Sequence, residues 1–190
     1  MPGYNARQDS DGVTHYIYSQ DEAMSCALAC MFMIENQVEQ VTHAGGEQRL
    51  KDISFVHPGS LLASQLAWDN NGQGWGTSVD NAAKTFADIG VRLTKVARFD
   101  PTGLYNNFAW ERNRISDGHP ALLLLGWYAW QQGKQVRNGG HFIIAARVTK
   151  RGAVVVLDPW KGTLHELHGQ KGYYLNHGLT GRIQFILYTG

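Results

Sequence analysis

Residues 26–34 read Cys-Ala-Leu-Ala-Cys-Met-Phe-Met-Ile, with no polar face anywhere around a helix until Glu35. A helix with this pattern must be buried nearly all round, so the rest of the chain has to wrap it. The run is too short to span a bilayer, as is the other long apolar stretch, 121–130. Asp21 and Glu22 lie just ahead of it and favour a helix N-terminus there, predicting a helix from residue 24 to about 35. A chain of 190 residues, 43% hydrophobic and 17% charged, can supply the surrounding core as one domain and is not of disordered composition.

The remaining patterns show what the wrapping is made of. Residues 1–12 read as a loose tail and 13–18 as a short strand leading into Ser19-Gln20. A helix is expected over 61–68, followed by a Gly/Asn loop over 69–76 that holds Trp75. Thr77-Ser-Val-Asp80 resembles a capping box, with its helix running to Ile89 and stopping at Gly90. Residues 91–96 read as a strand and 104–116 as a moderately amphipathic helix ending at Asp117-Gly118-His119-Pro120. From there the segments 121–128, 142–148, 153–157 and 183–188 all read as strands. Helices first and strands second predict an α+β fold, a helical half packed on a mostly antiparallel sheet. No internal repeat or linker divides the chain.

Three short segments hold chemistry. Gln20 lies six residues before Cys26, and Cys26 stands in the first turn of the buried helix. A thiol becomes a strong nucleophile only as the thiolate, which helix N-termini and neighbouring imidazolium groups favour. Cys30, one turn deeper in apolar surroundings, is expected to stay a neutral thiol in the core. Far downstream, Gly139-Gly140-His141 opens one strand and Leu157-Asp158-Pro159 closes the next, with the turn signal Thr149-Lys-Arg-Gly152 between them. Folding that hairpin brings His141 beside Asp158, where a carboxylate can fix the tautomer and orientation of an imidazole. Gly139 and Gly140 would leave backbone room beside the ring. Gln20 can offer an amide N–H to an oxyanion next to the backbone N–H of Cys26.

Gln20-x5-Cys26, Gly-Gly-His141-Phe and Leu-Asp158-Pro159 together resemble the papain-like cysteine peptidases. The closer likeness is to the bacterial double-glycine leader peptidases and to secreted effector proteases of plant pathogens, in which a similar Tyr-x-Ser-Gln segment precedes a Met-x-Cys-x-x-x-Cys helix. Here that segment reads Tyr18-Ser19-Gln20, then Met24-Ser25-Cys26 to Cys30. The resemblance covers the first helix and residues 118–160; residues 36–117 match in layout more than in identity. It implies a papain-like fold with Cys26 as nucleophile, His141 as general base and acid, Asp158 as orienting residue and Gln20 as oxyanion donor, with no cofactor. Ala27 stands where many relatives have Trp or Gly, and Asp158 where plant and animal papains have Asn. Trp75, Gly140 and Trp160 are candidates for the substrate cleft.

The same order of Cys, His and Asp serves transglutaminases, deamidases, arylamine acetyltransferases and cell-wall endopeptidases, which share a thioester and differ in the acyl acceptor. Two other classes are open. Cys26-x3-Cys30 with His141 or Asp158 is within zinc-ligand spacing, and His165-x-x-His168 with His177 is a weaker set. The tryptophans at 68, 75, 110, 127, 130 and 160 could form a recognition surface of a non-enzymatic module. A net charge of +1 with no basic run gives no reason to expect nucleic acid or a membrane as partner. Two cysteines one helical turn apart are poorly placed for a disulfide. The N-terminus lacks an apolar signal region. The resemblance implies a soluble bacterial effector or interbacterial toxin that a secretion system delivers into a target cell. Its partners would be a protein substrate, which relatives cut after Gly-Gly, and a cognate immunity or inhibitor protein.

Overall fold

The computed structural model describes residues 3–21, 25–54, 77–99, 108–170, 172–176 and 179–190. The helix expected over 61–68 and the loop with Trp75 lie outside the described residues. The chain begins with β1 (Tyr4–Gln8) and β2 (Thr14–Tyr18), an antiparallel hairpin. Among the described residues, three helices follow: α1 (Cys26–Glu39), α2 (Gly46–Ser54) and α3 (Val79–Asp88). Then come β3 (Leu93–Arg98), β4 (Ala121–Gln131), β5 (Lys134–Val148), β6 (Val154–Asp158), β7 (Thr163–Leu167), β8 (Tyr173–Asn176) and β9 (Leu179–Thr189). β3 to β9 form one sheet in the order β3-β9-β4-β5-β6-β7, with β8 also on β9, and every pairing is antiparallel. The architecture is α+β, with few helices and a large antiparallel sheet.

The sheet is buried on both faces, which is why its central strands read as continuous apolar runs rather than alternating ones. Leu122, Phe142, Ile144, Ala146, Val155 and Leu157 face α1, whose residues from Cys26 to Ile34 are all buried. The alternate residues Leu123, Leu125, Ile143, Ala145, Val154 and Val156 form a second cluster with Trp110, Ile115 and Tyr174. The apolar girth of α1 is accounted for by this sheet face together with α2, α3 and β2.

Two expectations need correction. Residues 1–12 are not a loose tail, because 4–8 form β1 on β2. Asp9 closes the turn: its carboxylate accepts from the N–H groups of Asp11 and Val13, each at 3.0 Å. The same carboxylate is buried against His15 at 3.0 Å and Arg147 at 2.6 Å, which pins the hairpin to β5. Nor are residues 108–116 a helix, apart from a 3-10 turn at Arg112–Arg114. Trp110 and Ile115 are buried on the second sheet face. Polar groups there find tertiary partners instead: Arg112 donates to Gly152 O at 3.0 Å and Gly169 O at 2.6 Å, and Trp110 N to Gln170 Oε1 at 3.1 Å.

Burial pushes the Asp9 carboxyl up, but His15, Arg147 and the turn amides outweigh it and bring it from 3.8 to about 2. A lowered carboxyl stabilises the fold above its unfolded value, and that contribution disappears as pH falls through the folded one. Asp9→Asn is therefore expected to cost about 2 kcal/mol at neutral pH. It should also flatten the acid limb of a urea-unfolding series between 3.8 and about 2.

Candidate active site

α1 starts at Cys26. Ser25 O accepts from Ala29 N at 3.0 Å, so the N–H of Cys26 belongs to the helix end and has no acceptor within the helix. The Cys26 sulfur takes a hydrogen bond from Phe142 N at 3.4 Å, joining the helix start to β5. Cys30 points into the core, where its thiol donates to Phe142 O at 3.4 Å. Complete burial pushes the Cys30 thiol well up, and Cys26, Asp158 and Glu47 add to it. Cys30→Ala is expected to leave any turnover within about twofold and to cost about 1 kcal/mol by chemical denaturation.

The imidazole and carboxylate meet through the β5–β6 hairpin, closed by Thr149 N to Ala153 O and Gly152 N to Thr149 O, both at 2.8 Å. Ile144 pairs with Leu157, so stepping back to His141 and on to Asp158 puts both on the same, opposite face. His141 Nε2 lies 2.6 Å from Asp158 Oδ1. The Cys26 sulfur is the ring's second side-chain influence, with Nδ1 left free of Asp158. Burial opposes a charge on His141, yet Asp158 and Cys26 overcome it and raise the ring from 6.5 to about 10. For Asp158, burial raises the carboxyl but His141, Trp160 N and Tyr174 lower it further. Cys26 and His141 are each only 7% exposed and Asp158 not at all. The charged form of the ring is thus favoured by the carboxylate that holds it.

Gln20 is anchored beside the site by its backbone N–H, which donates to Pro159 O at 3.1 Å. Gly139 adopts φ +107°, a conformation open to glycine, and a Cβ on Gly140 would press on Leu125 O and the Arg137 guanidinium, each at 3.2 Å. Trp160 is exposed directly after the Asp158-Pro159 turn, and its N–H donates to Asp158 Oδ1 at 2.8 Å. Trp75 lies outside the described residues. Sequence reasoning missed Tyr174 here and placed Trp127 only among the tryptophans of a recognition surface. Tyr174 Oη donates to Asp158 Oδ2 at 2.9 Å, and Trp127 stacks on His141 with centroids 5.9 Å apart at 22°. Tyr174 arrives on β8, a short strand that no pattern had marked.

The zinc readings find little geometric support. Among the described residues, the one set of three such donors within 4.8 Å of one another is Glu35, Glu39 and His43, and it includes neither cysteine. Arg49 already pairs with Glu35 at 2.5 Å, and His43 with Glu39 at 2.7 Å, so this set reads as an ion-pair network. His165 packs edge-on against Tyr174 at 5.0 Å and His168 is exposed, while His177 lies outside the described residues. A groove of about 600 Å³ between the β1–β2 hairpin and the C-terminal half of α1 includes none of Gln20, Cys26, His141 or Asp158. Among the described residues, no helix is long and apolar enough to cross a membrane. No protein-family model matches the chain, and no curated protein matches it.

Proposed function

We propose that this chain is a papain-like cysteine peptidase in which Cys26, His141 and Asp158 act as a catalytic triad. The observation behind the reading is the 2.6 Å contact of Asp158 Oδ1 with His141 Nε2, on a ring that also feels the Cys26 sulfur at the start of α1. The proton of Cys26 passes to His141, and the sulfur attacks a peptide carbonyl to form a tetrahedral intermediate. Its oxyanion is met by the Cys26 N–H and the Gln20 side chain. His141 then gives its proton to the leaving amine, a thioester remains on Cys26, and His141 takes a proton from the water that releases the acid. Asp158 holds the ring in the tautomer that leaves Nδ1 toward the sulfur. No step calls for a cofactor.

A protein that acts through this triad in the setting its sequence resemblance implies would be an effector or toxin. Its target would be a protein, and its producer would need an inhibitor covering the cleft. The test is a screen of folded proteins and peptides, Gly-Gly peptides first, with wild type and Cys26→Ala in parallel and with added primary amines. Cleavage by the wild type alone supports the peptidase. Amine incorporation or glutamine deamidation without cleavage would assign the same thioester to acyl transfer instead. Equal products from both proteins would remove Cys26 from the chemistry.

A further inference from the structure

Glu47, in the first turn of α2, is fully buried a short distance behind the start of α1. Its Oε1 accepts from Asp21 N at 2.9 Å, and its carboxylate is a side-chain hydrogen-bond partner of Ser25. Asp21 directly follows Gln20, and Ser25 directly precedes Cys26. Ser25 is the N-cap residue of α1, yet its side chain makes no cap hydrogen bond. A serine in that position ordinarily accepts from an N–H of its own helix. Here Ser25 is instead a partner of Glu47, whose carboxylate adds to the acidic groups near the helix start. The local packing favours this arrangement. A Cβ at Gly46 would come within 2.8 Å of Tyr18 Oη, and that hydroxyl donates to both Asp21 carboxylate oxygens at 3.1 Å.

We propose that Glu47 is a positioning residue of the site, tying the backbone after Gln20 to the residue before Cys26 and so fixing the spacing of the two oxyanion donors. The inference rests on the cysteine-nucleophile reading above and deepens it. Glu47 touches no reacting atom; it acts through Asp21 and Ser25. Among the described residues, the charged and titratable groups around it are Tyr18 at the end of β2, Asp21 three residues on, Lys51 one turn on in α2, and Cys30 in α1. Burial raises the Glu47 carboxyl from 4.5 to about 7, against the hydrogen bonds from Ser25 and Asp21 N. A raised carboxyl favours the fold below its unfolded value, and that advantage is lost as pH climbs through the folded one. The charged form is thus held at a cost to stability, and it is the stronger acceptor for the Asp21 N–H.

Glu47→Gln keeps an acceptor oxygen and removes the charge; Glu47→Ala removes both. Three measurements on the full chain separate a positioning role from a merely structural one. The protection of the Asp21 amide, followed by NMR hydrogen exchange, should rise through about pH 7 in the wild type, stay flat in Glu47→Gln and fall in Glu47→Ala. Glu47→Gln should match the wild type in melting temperature at acidic pH and exceed it at about pH 8. With any peptide the wild type cleaves, Glu47→Ala should lower kcat by about 10- to 100-fold with KM unchanged, and Glu47→Gln should recover most of the loss. An Asp21 amide equally protected in all three proteins, or a Glu47→Gln protein less stable than the wild type at pH 8, would overturn the proposal. If the wild type cleaves nothing and Cys26 resists iodoacetamide, the nucleophile reading falls, while the exchange and melting data still decide whether Glu47 ties Asp21 to Ser25.

Discussion

Cys26→Ala is expected to reduce turnover by about 10⁴-fold or more while the protein stays folded. The loss is large because the other thiol cannot substitute for the sulfur. Cys30 is one helical turn deeper, its thiol is committed to Phe142 O, and burial holds it protonated. The structural loss is small because the hydrogen bond that Cys26 Sγ takes from Phe142 N is long, at 3.4 Å, and alanine is the best helix former. A change of about 1 kcal/mol in stability is the expected scale. Progress curves on a cleavable peptide, with thermal unfolding of the same samples, check both halves. Intact-protein mass spectrometry adds a positive signature: the wild type should carry the acyl group of a slowly hydrolysed ester substrate, and Cys26→Ala should not. An alanine variant that still acquires the acyl mass would place the nucleophile elsewhere.

The placement of Cys26, His141 and Asp158 was legible because each is tied to a pattern with a definite geometry. A wholly apolar helix marked where Cys26 had to begin, and a Gly-containing turn between two β-branched runs forced His141 and Asp158 to one end of a hairpin. That arithmetic needs only the period of a strand. Tyr174 and Trp127 obey no such local rule. Tyr174 reaches Asp158 from β8, a strand only Tyr173–Asn176 long that pairs with β9 alone. Trp127 lies on the stretch of β4 where the register with β5 shifts, between Gly126 and Tyr128. Glu47 was missed because its helix, Gly46–Ser54, is polar in composition, and its importance comes from what packs on it. The two corrections have a common cause. Asp9 and Trp110 satisfy their polar groups or bury their surface against distant strands, through Arg147 and the second sheet face. The Asp11-Gly12 pair between two short alternating runs was the signal that could have identified the first hairpin.

Asp158→Asn is expected to keep the fold and lose about 10²- to 10⁴-fold in kcat, together with a shift in pH dependence that identifies the cause. Asn can still accept from one donor, but it cannot balance a charge on the ring. In the wild type the ring is raised from 6.5 to about 10, so the stabilisation of its protonated form is complete below 6.5 and disappears as pH rises through about 10. Turnover should therefore show an alkaline limb near pH 10 in the wild type. In Asp158→Asn the limb should move down toward 6.5, because the largest favourable influence on the ring is gone. Asp158→Ala is a different experiment. It leaves His141, Tyr174 Oη and Trp160 N around a buried vacancy, and a cost of about 3–5 kcal/mol is expected. Tyr174→Phe divides the two effects: it removes one donor to Oδ2 and leaves the Oδ1 to His141 bond at 2.6 Å in place. Its expected price is about 1 kcal/mol in stability and a small fall in kcat. A downward shift of the alkaline limb in Asp158→Asn, with little movement in Tyr174→Phe, would locate the effect in the carboxylate charge on His141. Unmoved limbs in both variants would mean that Asp158 only packs against the ring.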